Sequence, residues 1–563
     1  MTDATTPNSP IDQVSERFLE QYLELMPTAA TFMGVEGHDH ELPDYSPNGF
    51  EGLLELHQRA LAEARAIQPG SPREEVAQDA FVERLGLEVE NLEAGVPQSQ
   101  LNALTSIPAE IRQVFDLMPT ASESDWERIA IRLNQVGTAL DGFRDTVLDQ
   151  AGQGRVSAVR QLNDLATRIA SWTGAEGDDY FAGLAAQAPE GPVKASVEAA
   201  AASARKAYDQ FGQWVTTEVV PRGRARDAVG REIYELASRN FLGAAVDLDE
   251  TYAWGWQELA RIDAEMQTIA ASLNDGDRSI NAAAELLDND PARKIHGKEA
   301  FRDWMQQLAD AAVAELAGQH FDIPDAIKRI ECMIAPTSDG SIYYTGPSED
   351  LTTRPGRMWW AVPNGIEDFA TWREVTTVYH EGVPGHHLQV AQTMLRGETL
   401  NRWQRIGCWV SGHGEGWALY AERLMEELGY LEEPGARLGM LDAQGFRAAR
   451  VIVDIGMHLE LEIPRDNPLG FRPGERWNAE LGFEFLRAYS RMETEFLRAE
   501  LNRYLGWPGQ APSYKVGERI WLQAREEVRA RRGAAFDLRS FHREALDLGS
   551  IGLDPLRRAL ARL

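Results

Sequence analysis

The sequence predicts a mainly α-helical protein that contains one small β-sheet. Long segments repeat apolar residues with the period of an amphipathic helix, among many Ala, Glu, Arg and Leu residues. One stretch, from Ala326 to Val362, instead has short apolar runs that Pro and Gly interrupt. The 563 residues include no long low-complexity linker, internal repeat or abrupt change of composition. We therefore expect one continuous helical domain over residues 1–563.

The helical periodicity is clearest in seven segments. They are Glu74 to Leu92, Asp125 to Gln150, Val193 to Val215, Glu299 to Leu316, Arg437 to Leu461, Trp477 to Tyr504 and Val516 to Arg532. Turns rich in Pro and Gly separate the later segments, because these residues end helices. We expect one large two-lobed body around a cleft, with a helical lobe over residues 1–320 and a second lobe over residues 321–563.

Three short strands are predicted between Ala326 and Val362. Their apolar residues are Ile330, Met333, Ile334, Ile342, Tyr343, Tyr344, Met358, Trp359 and Trp360. The turns between them are predicted at Pro336, Asp339-Gly340, Gly346-Pro347 and Pro355-Gly356. The second lobe should therefore contain the sheet.

Composition excludes several classes of protein. A net charge of −32 argues against a nucleic-acid or anionic-membrane partner, because phosphate groups bind to basic surfaces. The first residues, Met1 to Pro10, lack the basic start and apolar run of a secretory signal, and no stretch of about 18 apolar residues occurs. Two cysteines make a disulfide framework implausible. We expect a cytoplasmic protein, and the sequence indicates no oligomeric state.

Residues 380–389 read HEGVPGHHLQ and set histidines beside a carboxylate. Histidine nitrogens bind Zn²⁺, and an adjacent Glu that is not a ligand can take a proton from water. A hydrolase that uses water as its nucleophile needs this combination, because zinc lowers the pKa of its water from about 15.7 to about 7. His380 therefore fits a ligand of one zinc ion, and Glu381 fits the general base.

Pro384 distinguishes this segment from a regular HExxH helix. In HExxH the two histidines lie one helical turn apart and face one ion. Here Pro384 takes the fourth position, and its ring collides with the carbonyl of His380, so a kink or a two-residue bulge is expected. A bulge makes His386 the second ligand, whereas an undistorted helix favours His387. Both stay open, and His386 is preferred.

The third ligand is expected from a second helix. Residues 413–422 read HGEGWALYAE, which opens on glycines and continues into strong helix formers. Glu415 then lies near the helix start, with Glu422 two turns further on the same face. We predict Glu415 as the ligand and His413 as its hydrogen-bond partner. A carboxylate that the helix dipole favours is the alternative explanation of Glu415.

Both motifs resemble the bacterial family known as domain of unknown function 885. Its members are regarded as gluzincin-like zinc peptidases, distantly similar to Taq-type carboxypeptidases and thimet-type oligopeptidases. The resemblance covers nearly the whole chain through Pro27 to Gly34, Ile342-Tyr343-Tyr344, Arg354-Pro355-Gly356, Asp454 to His458, Pro508 to Ala511 and Tyr514 to Gly517. It implies a zinc ion held by a histidine from each end of the first motif and by Glu415, which supports His386. It also implies a deep cleft that excludes folded proteins.

Amide hydrolysis also needs a hydrogen-bond donor for the oxyanion. The candidates are Tyr514 and His458, with Tyr343 and Tyr344 after them, and the resemblance favours Tyr514. We predict that Tyr344 binds substrate, since a strand beside the metal helix can pair with an extended peptide, although a structural hairpin explains the strands equally well. Lys515 follows a loop rich in Pro and Gly and is also predicted to bind substrate.

One polar helix face lies downstream and carries Arg447, Arg450, Asp454 and His458. The two arginines are predicted to bind a substrate carboxylate, and Asp454 could orient His458. A structural ion-pair network between helices is the equally weighted alternative.

The expected function is zinc-dependent hydrolysis of amide bonds in short peptides, with Glu381 as the general base. A zinc amidase for a small non-peptide compound is the first alternative, because specificity depends on the pocket. A catalytically silent peptide-binding scaffold is the second. The intact His380-Glu381 pair argues against the scaffold, since a binding module needs no base.

Overall fold

The computed structural model describes residues 8–335, 342–349, 351–363 and 365–562. Helices account for 67% of the chain and strands for 5%, which confirms the predicted mainly α-helical class. In that part of the chain the helices are α1 (Pro10–Leu25), α2 (Pro27–Met33), α3 (Pro47–Ala66), α4 (Pro72–Glu93), α5 (Val96–Ser99), α6 (Ile107–Leu117), α7 (Glu123–Leu133), α8 (Val136–Gly152), α9 (Val159–Trp172), α10 (Tyr180–Ala186), α11 (Pro192–Trp214), α12 (Arg231–Leu242), α13 (Leu248–Leu273), α14 (Ile280–Asn289), α15 (Lys298–Leu316), α16 (Thr371–Glu381), α17 (His386–Leu395), α18 (Ser411–Glu427), α19 (Pro434–His458), α20 (Ala479–Ala488), α21 (Thr494–Gly506), α22 (Ser513–Arg532), α23 (Leu538–Leu546) and α24 (Leu553–Arg562). The strands there are β1 (Lys294–His296), β2 (Ile330–Ile334), β3 (Tyr343–Thr345), β4 (Gly356–Trp360) and β5 (Asp368–Ala370). Among these described helices, none is both long and apolar enough to cross a lipid bilayer.

Five of the seven predicted helical segments coincide with single helices, namely α4, α11, α15, α19 and α22. The other two segments each contain two helices. The segment from Asp125 to Gln150 divides into α7 and α8, and the segment from Trp477 to Tyr504 divides into α20 and α21. An amphipathic pattern persists across a short turn when both helices bury the same side, so periodicity alone does not reveal the break.

The predicted strands form a three-stranded sheet in the order β2-β4-β3, with β2 parallel to β4 and β3 antiparallel to it. Met358 of β4 packs with Phe301 of α15 and Val378 of α16, so the sheet lies against the helix that carries His380. The predicted turns at Pro336 and Asp339-Gly340 lie outside the described residues. A separate antiparallel pair, β1 with β5, was not predicted.

Helix α19 lies in the interior, because most of its residues from Leu438 to His458 are buried. Pro434 stands in its first turn, and the Glu433 side chain accepts a hydrogen bond from the backbone N–H of Ala436 at 2.7 Å. The helix packs against α13 and α16. Polar side chains on α19 must therefore find partners inside the protein or bind a ligand.

Two large hydrophobic clusters divide the helical body. One cluster takes residues between Tyr45 and Val219, and the other takes residues between Ile11 and Leu560. Residues 1–320 contribute to both clusters, so the described hydrophobic cores do not separate at residue 320. The cleft between two lobes stays a prediction.

Candidate metal centre

The first motif spans a break between two helices. Helix α16 ends one residue after His380, and α17 begins at His386, so the interruption predicted around Pro384 is present. A Cβ atom on Gly385 would lie 1.9 Å from the carbonyl oxygen of His380, so only glycine allows this close return of the chain. The break brings the two imidazoles together, with ring centroids 4.8 Å apart and an interplanar angle of 89°.

Three ligand atoms converge at this break. The Nε2 atoms of His380 and His386 lie 3.4 and 3.5 Å from Oε2 of Glu415. Zinc bonds of about 2.0–2.1 Å give a coordination tetrahedron an edge of about 3.3–3.4 Å, which these separations match. The Glu415 Oε2 atom is buried and accepts no well-formed hydrogen bond from the described residues. These residues therefore fit a single zinc ion.

The electrostatics of the cluster favour a shared positive charge. Burial opposes protonation of His380, but the carboxylates of Glu415 and Glu422 outweigh it and raise the pKa of His380 to about 9. Burial likewise acts to raise the pKa of Glu415, but the imidazoles of His380 and His386 hold it well below its usual range. A cation between these groups is stabilised in a site that solvent barely reaches.

Glu381 lies beside the three ligand atoms. His380, Glu381 and His386 are buried, and each offers a ligand atom within 4.8 Å of the other two. Burial raises the pKa of Glu381, and the neighbouring imidazoles only partly oppose this effect. Both imidazoles approach the Glu415 oxygen, so Glu415 is the candidate for the third ligand, and the Glu381 carboxylate lies beside the two imidazoles.

A chain of buried, hydrogen-bonded side chains orients the His380 ring through its Nδ1 atom. Its Nδ1 donates to Oε1 of Glu422 at 2.8 Å, and Nε2 of Gln444 donates to the other oxygen of Glu422 at 3.0 Å. Gln444 also accepts a hydrogen bond from Nζ of Lys515 at 2.5 Å, and Lys515 pairs with Glu518. Such a carboxylate fixes the tautomer and the ring orientation of a ligand histidine. Sequence reasoning gave Glu422 and Gln444 no role, although the seven-residue spacing of Glu422 from the ligand on its helix was a signal.

Lys515, which was predicted to bind substrate, instead lies in a buried network of ion pairs. Its ammonium group pairs with Glu518 and also lies 3.1 Å from Glu258, while the residue is only 2% exposed. The Lys515 ammonium group is therefore fully paired within the buried network. Lys515 supports His380 through Gln444 and has no free donor for a substrate.

His387 belongs to the scaffold of the break and not to the ligand set. Its Nε2 donates to the backbone carbonyl of Ile327 at 2.8 Å, and its Nδ1 accepts from the Tyr344 hydroxyl at 2.9 Å. Burial lowers the pKa of His387 to about 4, so the ring is neutral and both nitrogens are used. The structure thus favours His386 of the two alternatives. Tyr344, predicted to bind substrate, instead holds His387.

The second motif stabilises the break between α16 and α17 that lies in the first motif. The indole nitrogen of Trp417 donates to the carbonyl oxygens of Pro384 at 2.9 Å and Gly385 at 3.3 Å. On the other side of α18, a Cβ atom on Gly416 would lie 2.4 Å from the backbone carbon of Gly517 in α22. The two glycines therefore allow α18 and α22 to touch backbone to backbone.

This close contact brings Tyr514, in the first turn of α22, towards the ligand set. Burial raises the pKa of Tyr514, and the negative charge of Glu415 raises it further. The guanidinium carbon of Arg450 lies 4.8 Å from the centre of the Tyr514 ring. The structure therefore places a protonated phenol near Glu415, and the role of Tyr514 as the oxyanion donor stays a prediction.

The remaining members of the polar face on α19 divide between two environments. Arg450 donates to Glu500 at 2.9 Å and to the Tyr504 hydroxyl at 2.8 Å, so it belongs to an ion-pair network and not to the predicted substrate clamp. His458 is fully buried and donates to the Tyr504 carbonyl at 3.0 Å. Its other contacts are with Tyr234 and Asp454, so the structure does not bring His458 to the cluster. Glu500, Tyr504 and Tyr234 come from other helices, which sequence spacing cannot show, whereas Asp454 lies one turn before His458 on α19 itself.

His413 also has a different partner from the predicted one. Its Nδ1 accepts a hydrogen bond from the Gln389 side chain at 2.8 Å, and its ring packs on Trp521. Burial lowers the pKa of His413 to about 3, so the side chain is neutral. His413 therefore links α17 to α18 through Gln389, and the groups near the Glu415 carboxylate are the imidazoles of His380 and His386.

Comparison with known proteins gives the family and the fold. A family model described as "Bacterial protein of unknown function (DUF885)" matches residues 27–560. The chain belongs to this family. Among solved structures, a "putative lipoprotein" from Colwellia psychrerythraea matches with a TM-score of 0.83 and 21% identity, and the match covers 99% of each chain. A "putative lipoprotein of unknown function" from Shewanella oneidensis has a TM-score of 0.75 and 18% identity over 98% of this chain and 99% of that chain.

The structural matches show that the fold shared with these two proteins extends over the whole chain, since each match covers both proteins almost completely. At 18–21% identity these matches are evidence for a shared fold and not for a shared function. No curated protein matches this chain. Its activity must therefore be argued from the site itself.

Proposed function

We propose that this chain is a zinc-dependent hydrolase that cleaves amide bonds in short peptides. The convergence of His380 Nε2, His386 Nε2 and Glu415 Oε2 carries the proposal, with separations of 3.4 and 3.5 Å from the carboxylate oxygen. Two imidazoles and a carboxylate are the ligand set of many catalytic zinc sites, which keep one coordination position open. Bound zinc would supply an activated water at neutral pH and polarise the amide carbonyl.

The side chains then have separate roles. Glu381 accepts the proton of the attacking water and delivers it to the amine that leaves. Tyr514 donates its hydroxyl hydrogen to the developing oxyanion, and the raised pKa of Tyr514 keeps that hydrogen in place. Glu422 holds the His380 ring through Nδ1. Each role depends on a contact or an electrostatic interaction within the cluster.

Burial of the cluster supports a short substrate. His380 is 4% exposed, and Glu381 and His386 are each 6% exposed. A folded protein cannot reach groups so enclosed, whereas an extended peptide or another slender amide can. The choice between a peptide and a small non-peptide amide depends on the pocket beyond these residues. A cytoplasmic location and the lack of a nucleic-acid partner, both predicted from the sequence, remain proposals.

The test combines metal analysis with one substitution. Purified protein should bind about one zinc ion per chain, and Glu381→Gln should retain the zinc but lose hydrolysis of a peptide library by about 100-fold or more. Glu374→Gln is the matched control, because Glu374 is a partly buried glutamate on the same helix whose pKa burial raises to about 7. It should leave both zinc and turnover unchanged.

Other outcomes separate the alternatives. Zinc retained with turnover of small amides but not of peptides would favour the amidase. Peptide binding with no turnover in the unsubstituted protein would favour the scaffold. Lack of zinc binding in the unsubstituted protein would reject the proposal.

A further inference from the structure

Arg447 lies on α19 between two residues that support the candidate metal centre. Gln444, three residues before it, donates to the carboxylate of Glu422, which holds His380. Arg450, three residues after it, lies over the ring of Tyr514. Residues three apart on a helix share one face, about one turn from each other. The Arg447 side chain therefore leaves α19 on the face that packs toward the metal centre.

This guanidinium group forms no direct ion pair or hydrogen bond with a carboxylate of the described residues. Within the described residues, Arg447 forms no ion pair or hydrogen bond, and its buried Nε atom lacks an acceptor. Its neighbour Arg450, in contrast, pairs with Glu500 at 2.9 Å. Partial burial of an unpaired cation is costly, and this chain has a net charge of −32 and so offers many carboxylates. A partly buried arginine with an unsatisfied Nε atom in such a protein is positioned to bind an anion.

Reactive carboxylates lie close to Arg447 without bonding to it. The Arg447 guanidinium lies close enough to the buried carboxylates of Glu381 and Glu422 for its charge to interact with both. The guanidinium is thus near enough to act on the proposed general base. An anion that binds to Arg447 would lie beside the reaction centre.

We propose that Arg447 binds the C-terminal carboxylate of the peptide substrate, so that the enzyme removes residues from the C-terminal end. This inference rests on the proposed zinc hydrolase function. The planar fork of an arginine matches both oxygens of a carboxylate, and every linear peptide with a free C-terminus carries that group. The substrate class is therefore short peptides with a free C-terminus.

The test uses peptides that differ only at the C-terminus. N-acetylated tetrapeptides as free acids should be cleaved with a kcat/KM about 10- to 100-fold above that of their C-terminal amides, the range that hydrogen bonds to a charged group provide. Arg447→Gln should remove this preference mainly through a higher KM for the free acid, and Arg447→Lys should restore part of it. Arg302→Gln on α15, an exposed arginine beside Asp303, is the matched control and should keep the preference.

Calorimetry with the same peptides separates this inference from the proposed function. Equal cleavage of acids and amides by the unsubstituted protein would overturn the role of Arg447 and leave the hydrolase standing. Tighter binding of the acid than of the amide, lost in Arg447→Gln but without any cleavage, would support the carboxylate site and reject the hydrolase. If the zinc-loaded protein neither cleaves nor binds these peptides, both are rejected.

Discussion

The indole nitrogen of Trp417 donates a hydrogen bond to the carbonyl oxygen of Pro384 at 2.9 Å. This contact joins the two sequence motifs, because Trp417 stands two residues after Glu415 and Pro384 stands two residues before His386. The second motif therefore supplies one proposed ligand and also stabilises the chain path that carries the other two proposed ligands. Trp417 is fully buried, so the carbonyl has no water to replace this donor.

Replacing Trp417 should loosen the metal centre. Trp417→Phe removes the donor and leaves the buried Pro384 carbonyl without a partner, whereas the Gly385 carbonyl still accepts from the backbone N–H of Gln389. The unsatisfied carbonyl should cost about 1–3 kcal/mol of unfolding free energy. We also expect weaker zinc binding, since the break between α16 and α17 loses its restraint. Urea unfolding with zinc titration measures both. Trp304→Phe on α15, where the ring stacks on Phe301, should change stability less and leave zinc binding intact.

Glu422 should matter for zinc although it is not a ligand. It accepts the Nδ1–H of His380 at 2.8 Å, and the loss of such a partner typically costs about 10- to 100-fold in metal affinity. Glu422→Ala should weaken zinc binding by that factor in competition with a chelator. Glu427→Ala, on the same helix but half exposed, should have no effect on the affinity. Equal affinity in the two variants would show that Glu422 is only structural.

The sequence was informative about the candidate ligands because they lie in two short motifs whose spacing is local. His380, His386 and Glu415 lie in two short motifs, and Pro384 with its flanking glycines indicated where the helix breaks. The choice between His386 and His387 could be narrowed but not made from spacing, since the partner of the His387 Nε2 is the carbonyl of a residue 60 positions earlier in the chain.

The environment of the site was less predictable because it depends on distant partners. Arg447 and Arg450 look alike in sequence, and only the position of Glu500, 50 residues away, distinguishes the paired arginine from the unpaired one. The loop before Lys515 suggested an accessible side chain, yet its ammonium group forms buried ion pairs with Glu258 and Glu518. Helical class followed from periodicity, whereas the division of two predicted helices depended on turns that the pattern does not show.

His542 should make the protein sensitive to acid. Its Nε2 lies 2.7 Å from the Tyr420 hydroxyl, and burial, aided by the charge of Arg525, lowers the pKa of His542 to about 3. The unfolded chain takes up a proton near pH 6.5, and the folded chain does so only near pH 3. The unfolded state therefore binds more protons between these values, and stability falls as the pH falls through that window.

Removal of the titrating group should flatten this dependence. Between pH 7 and pH 5 the unfolding free energy of His542→Gln should fall by about 2 kcal/mol less than that of the unsubstituted protein, at about 1.4 kcal/mol per pH unit below 6.5. Urea unfolding at both values measures it. The same change at His296, an exposed residue beside Asp368, should leave the slope nearly unchanged. Equal slopes in His542→Gln and the unsubstituted protein would contradict a neutral buried His542.

Tyr514 provides the sharpest test of the proposed chemistry. Its hydroxyl is predicted to act on the oxyanion, a group that exists in the transition state and not in the bound substrate, so its loss should lower kcat and leave KM nearly unchanged. Removal of one such donor costs about 100- to 1,000-fold in other hydrolases, and Tyr514→Phe should fall in that range with zinc content unaltered. Tyr343→Phe is the matched control, because Tyr343 is 40% exposed on β3 and stacks on Trp359. A change in KM with kcat preserved would instead assign Tyr514 to substrate binding, since that pattern removes an interaction shared by the substrate and the transition state.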